Sequence, residues 1–331
     1  MQQGVDKQMK SKPKFEYITE FRFCGKDHFL ILKGISILLV MLAHFCEQYL
    51  VDSRLMPLQG VATTVFLLCS GYGVSESFNN KKGLTHYWEN KVIKIWLPSV
   101  VVTVLLSVIT TRNVVGWVEE NPLALHGWFL YLLFGEYVAF WLAFYFLEGK
   151  VARLLTLFAA SALGFAFVGV PNVAAQMFSF PLGVLLSQLG WKHFVRQLKT
   201  KGKVLLSGIL LVVAVGTYFL QIVLSQKHLM SACWAISYLS AAAFLCVGVY
   251  FVQKIGIFGI FAPVGMISYA LYLLHEQVLT LLEGRLEWRI AVAVFVGLFV
   301  ISAVFAWLCN LLVYYNKKLR RSRSTRLKGV M

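Results

Sequence analysis

The sequence predicts an all-helical, polytopic membrane protein with about ten transmembrane helices and both termini in the cytoplasm. Three observations carry this prediction. Hydrophobic residues make up 59% of the 331 residues and charged residues only 14%, a composition that excludes an ordinary soluble globular domain. The apolar residues form runs that can cross a hydrocarbon core of about 30 Å, which takes about 20 residues each. The basic residues gather at the ends of those runs.

The predicted spans form one membrane domain, 29–315, between two tails. The cytoplasmic tail 1–28 is polar and lysine-rich and lacks the apolar core of a signal peptide. The tail 316–331 is basic and is also placed in the cytoplasm. The spans lie at 29–50, 60–78, 92–111, 125–147, 151–170, 173–190, 203–225, 231–252, 257–282 and 288–315.

The distribution of Lys and Arg sets the predicted orientation. The side that holds both tails also receives the basic segments 81–94, 150–153 and 192–203, together with Lys254. The positive-inside rule makes this side cytoplasmic, and the membrane is expected to be the plasma (inner) membrane. The turn at 169–172 has a second interpretation, in which the fifth and sixth spans form one long broken helix. This would reverse the orientation of every later span in the membrane, and the distribution of Lys and Arg argues against it. The opposite side holds only Arg54, Arg112, Lys227, Arg285 and Arg289.

Charge and cysteine content limit the partners. This topology explains the net charge of +16, so no nucleic-acid partner is expected. The basic run 317–328 is interpreted as an anchor on anionic membrane lipid. The six cysteines are scattered without metal-ligand spacing, and neither disulfides nor a metal site is predicted.

The first span carries two ionisable residues on one face. His44 follows Lys33 by eleven residues, which returns it to nearly the same helix face about 16 Å further along the axis. Ionisable groups within a bilayer are candidates for function. Lys33 is predicted at the cytoplasmic mouth, either snorkelling to headgroups or binding an anion. His44 is predicted in the outer half, where Glu47, three residues on, either orients the imidazole or faces water.

The ninth span contains a second polar stripe. Ser268, Tyr272 and His275 recur at helical spacing. Because this span also runs outward, His275 is predicted at a depth comparable with that of His44. The alternative interpretation is an interhelical hydrogen-bond stripe that only holds the bundle together.

Polar residues of the second, third and fourth spans complete the candidates. Ser70 and Tyr72 flank a glycine in a small-residue stretch that suits close helix packing. Lys91 and Lys94 lie one turn apart at the start of the third span, as phosphate ligands or topology anchors. Glu136 falls near the middle of the fourth span and is expected to be protonated or paired.

These segments together resemble acyltransferase family 3, over about residues 29–315 and in the family's order. The resemblance rests on the Arg/Lys-x10-His signature of the first span and on an F-x-x-x-SG-aromatic stretch that begins at Phe66. One departure concerns an R-x-x-R-I-x-x-P-like segment, whose arginines are lysines here, which keeps the charge but loses the bidentate fork. The remaining matches are Ser268 to His275, Trp128 with Phe129, and Phe180 to Gly183.

The resemblance implies transfer of an acyl group, most often acetyl, from cytosolic acyl-CoA to a hydroxyl of an extracytoplasmic glycan or related small-molecule acceptor. The expected roles are a general base (His44), its orienter (Glu47), an assisting group (His275) and cations for the co-substrate acyl-CoA (Lys33, Lys91 and Lys94). Substrate contacts or structural support are expected from Ser70, Tyr72, Trp128, Ser268 and Tyr272. A covalent acyl-histidine is an open alternative. Another class of protein, a proton-coupled transporter or exporter of glycans or small substrates, also fits cavity-facing histidines and Glu136.

Overall fold

The computed structural model describes residues 22–50, 55–80, 83–109, 127–223, 227–252, 257–282 and 288–328, and all regular structure in these ranges is helical. The apolar composition dictates this result, because a helix satisfies its backbone hydrogen bonds without water. The helices are α1 Lys26–Leu50, α2 Met56–Asn80, α3 Tyr87–Lys91, α4 Leu97–Ile109, α5 Gly127–Phe146, α6 Lys150–Phe167, α7 Pro171–Ala174, α8 Ser179–Gln188, α9 Trp191–Gln197, α10 Thr200–Val223, α11 Lys227–Val252, α12 Phe261–Leu282 and α13 Trp288–Lys328.

Eight helices in the described ranges are long and apolar enough to cross a membrane: α1, α2, α5, α6 and α10 to α13. The chain is therefore a multi-pass membrane protein. Two predicted spans do not qualify. The span at 92–111 opens with a π-helical turn, Val92–Trp96, before α4, and the span at 173–190 is broken into the short helices α7 and α8. The count of about ten thus stays a prediction, as does the position of the termini. The basic residues Lys81, Arg54, Arg112, Lys254 and Arg285 lie outside the described residues.

Helices α1 and α12 pack against each other at two glycines. A Cβ on Gly34 would overlap the carbonyl oxygen of Phe261, and a Cβ on Gly265 would overlap that of Leu30. Glycine at both positions lets the two backbones approach closely, as small residues do in membrane helix pairs. His44 follows Gly34 by ten residues and His275 follows Gly265 by ten residues. The two parallel helices therefore bring both histidines to the same level.

Helices α2 and α8 form a second close pair. A Cβ on Gly71 would meet the carbonyl oxygen of Phe180, and one on Gly183 would meet that of Leu68. This contact joins two segments that carried the family resemblance. Buried aromatic residues of α5 and α8, among them Phe140 and Phe180, pack around it.

A buried polar cluster holds the broken segment between α7 and α8 against α2. The Gln176 amide nitrogen donates to the carbonyl oxygen of Gly60 at 2.9 Å, and the Thr64 hydroxyl donates to the Gln176 amide oxygen at 2.8 Å. Burial makes each of these bonds necessary, since an unpaired amide inside the bundle would be unfavourable. The segment between α7 and α8 is therefore held in place by its own hydrogen bonds to α2.

Candidate active site

Three lysines from separate elements line one cavity. We call this cavity the outer chamber. It has a volume of about 390 Å³ and is lined by Lys33 of α1, Lys91 of α3 and Lys94 of the π-helical turn. Ser70 of α2 and Tyr137 of α5 also line it. We call the end of the bundle where these lysines lie the lysine face. A chamber with three cations suits an anionic ligand.

Lys91 lies among aromatic rings within this chamber. Its Nζ is 3.4 Å from the ring centroid of Tyr137 and 5.6 Å from that of Tyr87. Burial of the ammonium, with Lys94 and Lys33 nearby, lowers the pKa of Lys91 from 10.5 to about 7. An anion in the chamber would favour the charged form of this amine, because an opposite charge stabilises it.

Lys33 is half-buried in the wall of the chamber. Among the described residues it has no carboxylate partner. Its positive charge is therefore available to a ligand in the chamber.

An inner chamber continues from the first. It has a volume of about 210 Å³ and shares Lys33, Ser70, Lys94, Ile95 and Tyr137 with the outer chamber. Its own lining is more apolar and aromatic and ends at Phe66, Phe129 and Tyr272, with Ser268 and Tyr269 beside them. The two chambers thus adjoin each other in sequence from the lysine face towards α12, and we call this arrangement the path.

Two histidines lie just beyond the aromatic end of the inner chamber. The ring centroids of Tyr272 and His275 are 5.9 Å apart, and those of His275 and His44 are 5.5 Å apart. Tyr272 therefore stands between the chamber and a pair of imidazoles. The structure brings together two residues that the sequence placed at comparable depth.

Backbone contacts fix the tautomer of His275. Its Nδ1 lies 2.8 Å from the carbonyl oxygen of Tyr272 and 3.0 Å from that of Leu271. Carbonyl oxygens only accept, so Nδ1 carries the proton and Nε2 carries the lone pair. His275 is fully buried, and its Nε2 has no hydrogen-bond partner among the described residues. A buried basic nitrogen without a partner can accept a proton from a bound substrate.

His44 is held between two side chains. Its Nε2 lies 3.0 Å from the amide nitrogen of Gln59, and its Nδ1 lies 3.8 Å from a carboxylate oxygen of Glu47. If the amide donates to Nε2, then Nδ1 carries the proton and faces the carboxylate, so the two contacts agree on one tautomer. The distance to Glu47 is longer than a hydrogen bond. Gln59 was not among the predicted residues, because it precedes the second predicted span and belongs to no motif.

Not every predicted residue lines this path. Tyr72 packs edge-on against Phe29, at 5.3 Å between ring centroids, and lines neither chamber. Trp128 contacts Phe129, which closes the inner chamber. Ser70 and Ser268 do line the path, although the Ser268 hydroxyl also donates to the carbonyl oxygen of Gly265.

Glu136 belongs to a separate cavity. Its buried side chain lines a space of about 300 Å³ with Ser161 of the neighbouring helix α6. The residues that face the inner chamber from the same helix are Phe129, Leu133 and Tyr137. Glu136 is thus on the other side of α5 from the histidine path.

Comparison with family models defines the class of the protein as a membrane acyltransferase. The matching model describes an acyltransferase domain and covers residues 29–311. The chain therefore belongs to acyltransferase family 3, which confirms the resemblance seen in its sequence motifs. No curated protein and no solved structure matches the chain.

Proposed function

We propose that the protein transfers an acyl group, acetyl in the simplest case, from cytosolic acyl-CoA to a hydroxyl of an extracytoplasmic glycan or related acceptor. The observation that carries this proposal is the path from three lysines, along two adjoining chambers, to a pair of histidines of which His275 is fully buried. The lysine face is then cytoplasmic, and the histidines lie nearer the acceptor side.

The shape of the path matches the shape of the donor. Acyl-CoA carries several phosphates at one end and a thioester at the end of a long flexible arm. Lys33, Lys91 and Lys94 would hold the phosphates at the lysine face. The helical rise places His44 about 16 Å beyond Lys33, so an extended arm directed along the chambers carries the thioester towards Tyr272 and the histidines.

The chemistry requires a base near the thioester carbonyl. The acceptor hydroxyl replaces the Gln59 amide at Nε2 of His44, this nitrogen takes the hydroxyl proton, and the resulting oxygen attacks the thioester carbon. The C–O bond forms, the C–S bond breaks, and the CoA thiolate leaves and takes up the proton. His275, which lies beside His44, assists as a second basic group, while Gln59 and Glu47 hold the His44 ring in one orientation before the acceptor binds. A covalent acyl-histidine would use the same pair in two steps.

The direct test uses purified protein and labelled acyl-CoA. His44→Ala should lose transfer by about 10²-fold or more, because general acid–base groups contribute about that much. The matched control is His193→Ala, which removes an exposed histidine of α9. Full transfer by the His44 variant would overturn the assignment of the base.

Mass spectrometry of surface glycans tests the acceptor. Cells with the intact protein should show one added acyl group per modified unit, and cells with His44→Ala should lack that mass. Unchanged glycan masses combined with altered glycan export would instead favour a transporter or exporter.

A further inference from the structure

Three aromatic rings close the inner chamber at the end that is farthest from the lysine face. They belong to Phe66 in α2, Phe129 in α5 and Tyr272 in α12. The ring centroids of Phe129 and Tyr272 are 5.1 Å apart, those of Phe129 and Phe66 are 6.3 Å apart, and both pairs meet edge to face. We call these three residues the aromatic wall. Phe129 contacts both other rings and is therefore its central member.

The aromatic wall and the chamber beside it are held in place by packing and by a hydrogen bond. The Phe129 side chain is buried, and the ring of Trp128 lies beside it at 6.4 Å between centroids. The Tyr269 hydroxyl donates to the carbonyl oxygen of Ile95 at 2.7 Å, and both residues line the chamber. This bond ties α12 to the π-helical turn, so the chamber cannot widen here without losing it.

The inner chamber has room for the end of a donor arm and a short acyl group. Its volume of about 210 Å³ equals the share of about seven water molecules in the liquid, at about 30 Å³ each. This is about the size of an acetyl group together with its thioester and the last atoms of the arm. The apolar, aromatic lining beside the wall suits a hydrocarbon group.

We propose that the aromatic wall selects the acyl group by length, so that the protein transfers acyl groups of about two or three carbons and rejects longer ones. This inference rests on the proposed function and names the class of donor that it uses. The acyl group is the leading end of a donor that enters from the lysine face. It therefore meets the wall before any other part of the donor does.

Length matters because the other end of the donor is bound to the lysines. Each added methylene would press against the wall or hold the thioester carbon back from the histidines by about one bond length. A misplacement of about 1 Å can lower a rate by about 10²-fold. Buried rings in a close-packed region do not move aside freely. One methylene too many in a fitted apolar pocket is accordingly rejected by about tenfold or more.

The test lets acetyl-CoA and butyryl-CoA compete for the purified protein and measures the ratio of the two products. Wild type should favour acetyl transfer by about 10²-fold, and Phe129→Ala should shift the ratio towards butyryl by about tenfold or more. The matched control is Phe167→Ala, which removes an exposed ring of α6 that lines neither chamber and should keep the wild-type ratio. Because both donors compete for the same molecules, the ratio does not depend on the amount of folded protein.

A second variant of the wall decides the test if Phe129→Ala transfers neither group. Phe66→Leu trims a half-buried ring and should shift the product ratio towards butyryl by about threefold. The same competition assay measures it against wild type and Phe167→Ala.

Four outcomes would overturn the inference. A wild-type ratio in the wall variants would assign the rings to packing, and so would the loss of all transfer in both of them. Wild-type protein that uses butyryl-CoA as readily as acetyl-CoA would also contradict selection by length. These three outcomes leave the proposed function intact. Wild-type protein that consumes neither donor would overturn both.

Discussion

The two ends of the path differ in how their polar groups are arranged. At the lysine face the chamber is wide and its cations come from three elements, and one of these cations lies over an aromatic ring. At the other end two imidazoles lie side by side, and each is held by defined contacts. The first arrangement suits binding of a flexible, highly charged molecule. The second suits chemistry, which depends on the placement of single atoms. Variants at the two ends should therefore fail in different ways.

The largest effect is expected at the buried histidine. His275→Gln should reduce kcat by about 10²-fold or more, because it removes a basic nitrogen beside the reacting centre. Donor KM should stay the same, since His275 lines neither chamber. Steady-state kinetics with acyl-CoA measure both constants. His86→Gln, at an exposed position before α3, is the control. A rise in KM with kcat unchanged would place His275 at the binding end and contradict its assignment to the chemical step.

A smaller effect in the other constant is expected at the lysine face. Lys33→Ala should weaken acyl-CoA binding by about tenfold, which corresponds to the loss of one charge-assisted contact. Isothermal titration with a non-reactive acyl-CoA analogue measures the affinity. Lys33→Arg keeps the charge and should retain most of the binding. Unchanged affinity in the alanine variant would show that Lys33 does not bind the donor and would favour its interpretation as an anchor at the lipid headgroups.

Gln59 provides a second test at the histidine end of the path. Gln59→Ala should lower kcat about fivefold with donor KM unchanged, because the hydrogen bond that orients the His44 ring is lost. Gln197→Ala, at an exposed position in α9, serves as control. An unaltered kcat would reduce Gln59 to a packing residue.

The smallest effect is a pH dependence at the lysine face. The pKa of Lys91 is lowered to about 7, so the amine is charged below that pH and neutral above it. Donor KM should therefore rise about threefold between roughly pH 6 and pH 8.5. Lys91→Arg stays charged throughout and should show a flatter profile. An identical rise in both proteins would assign the titration to another group.

Helical geometry, together with the topology predicted from the basic residues, allowed much of this candidate site to be predicted. The spacing of Lys33 and His44 predicted that the two side chains share one helix face at different depths. The polar stripe that ends at His275 predicted a second histidine at the depth of His44. The sequence did not reveal that Gly34 and Gly265 bring α1 and α12 into contact. A glycine in a span has many possible neighbours, and only the packed bundle selects one.

Other features depend on contacts between distant segments. Gln59 reaches His44 only because α2 packs beside α1. Ser70 and Tyr72 share one motif, yet two residues of helix turn direct them to different surroundings. The break between α7 and α8 is held by Gln176 and Thr64, which are far apart along the chain. Periodicity describes a single helix and carries no information about such partners.

The equal separation of glycine and histidine in α1 and α12 has a consequence for changes in chain length. One residue inserted between Gly34 and His44 would turn the imidazole by about 100° and move it by about 1.5 Å along the axis. His275 would stay in place, because its own glycine still fixes α12. The two ten-residue intervals must therefore stay equal in length. Lengthening one of them alone would separate the two rings, even if every side chain were kept.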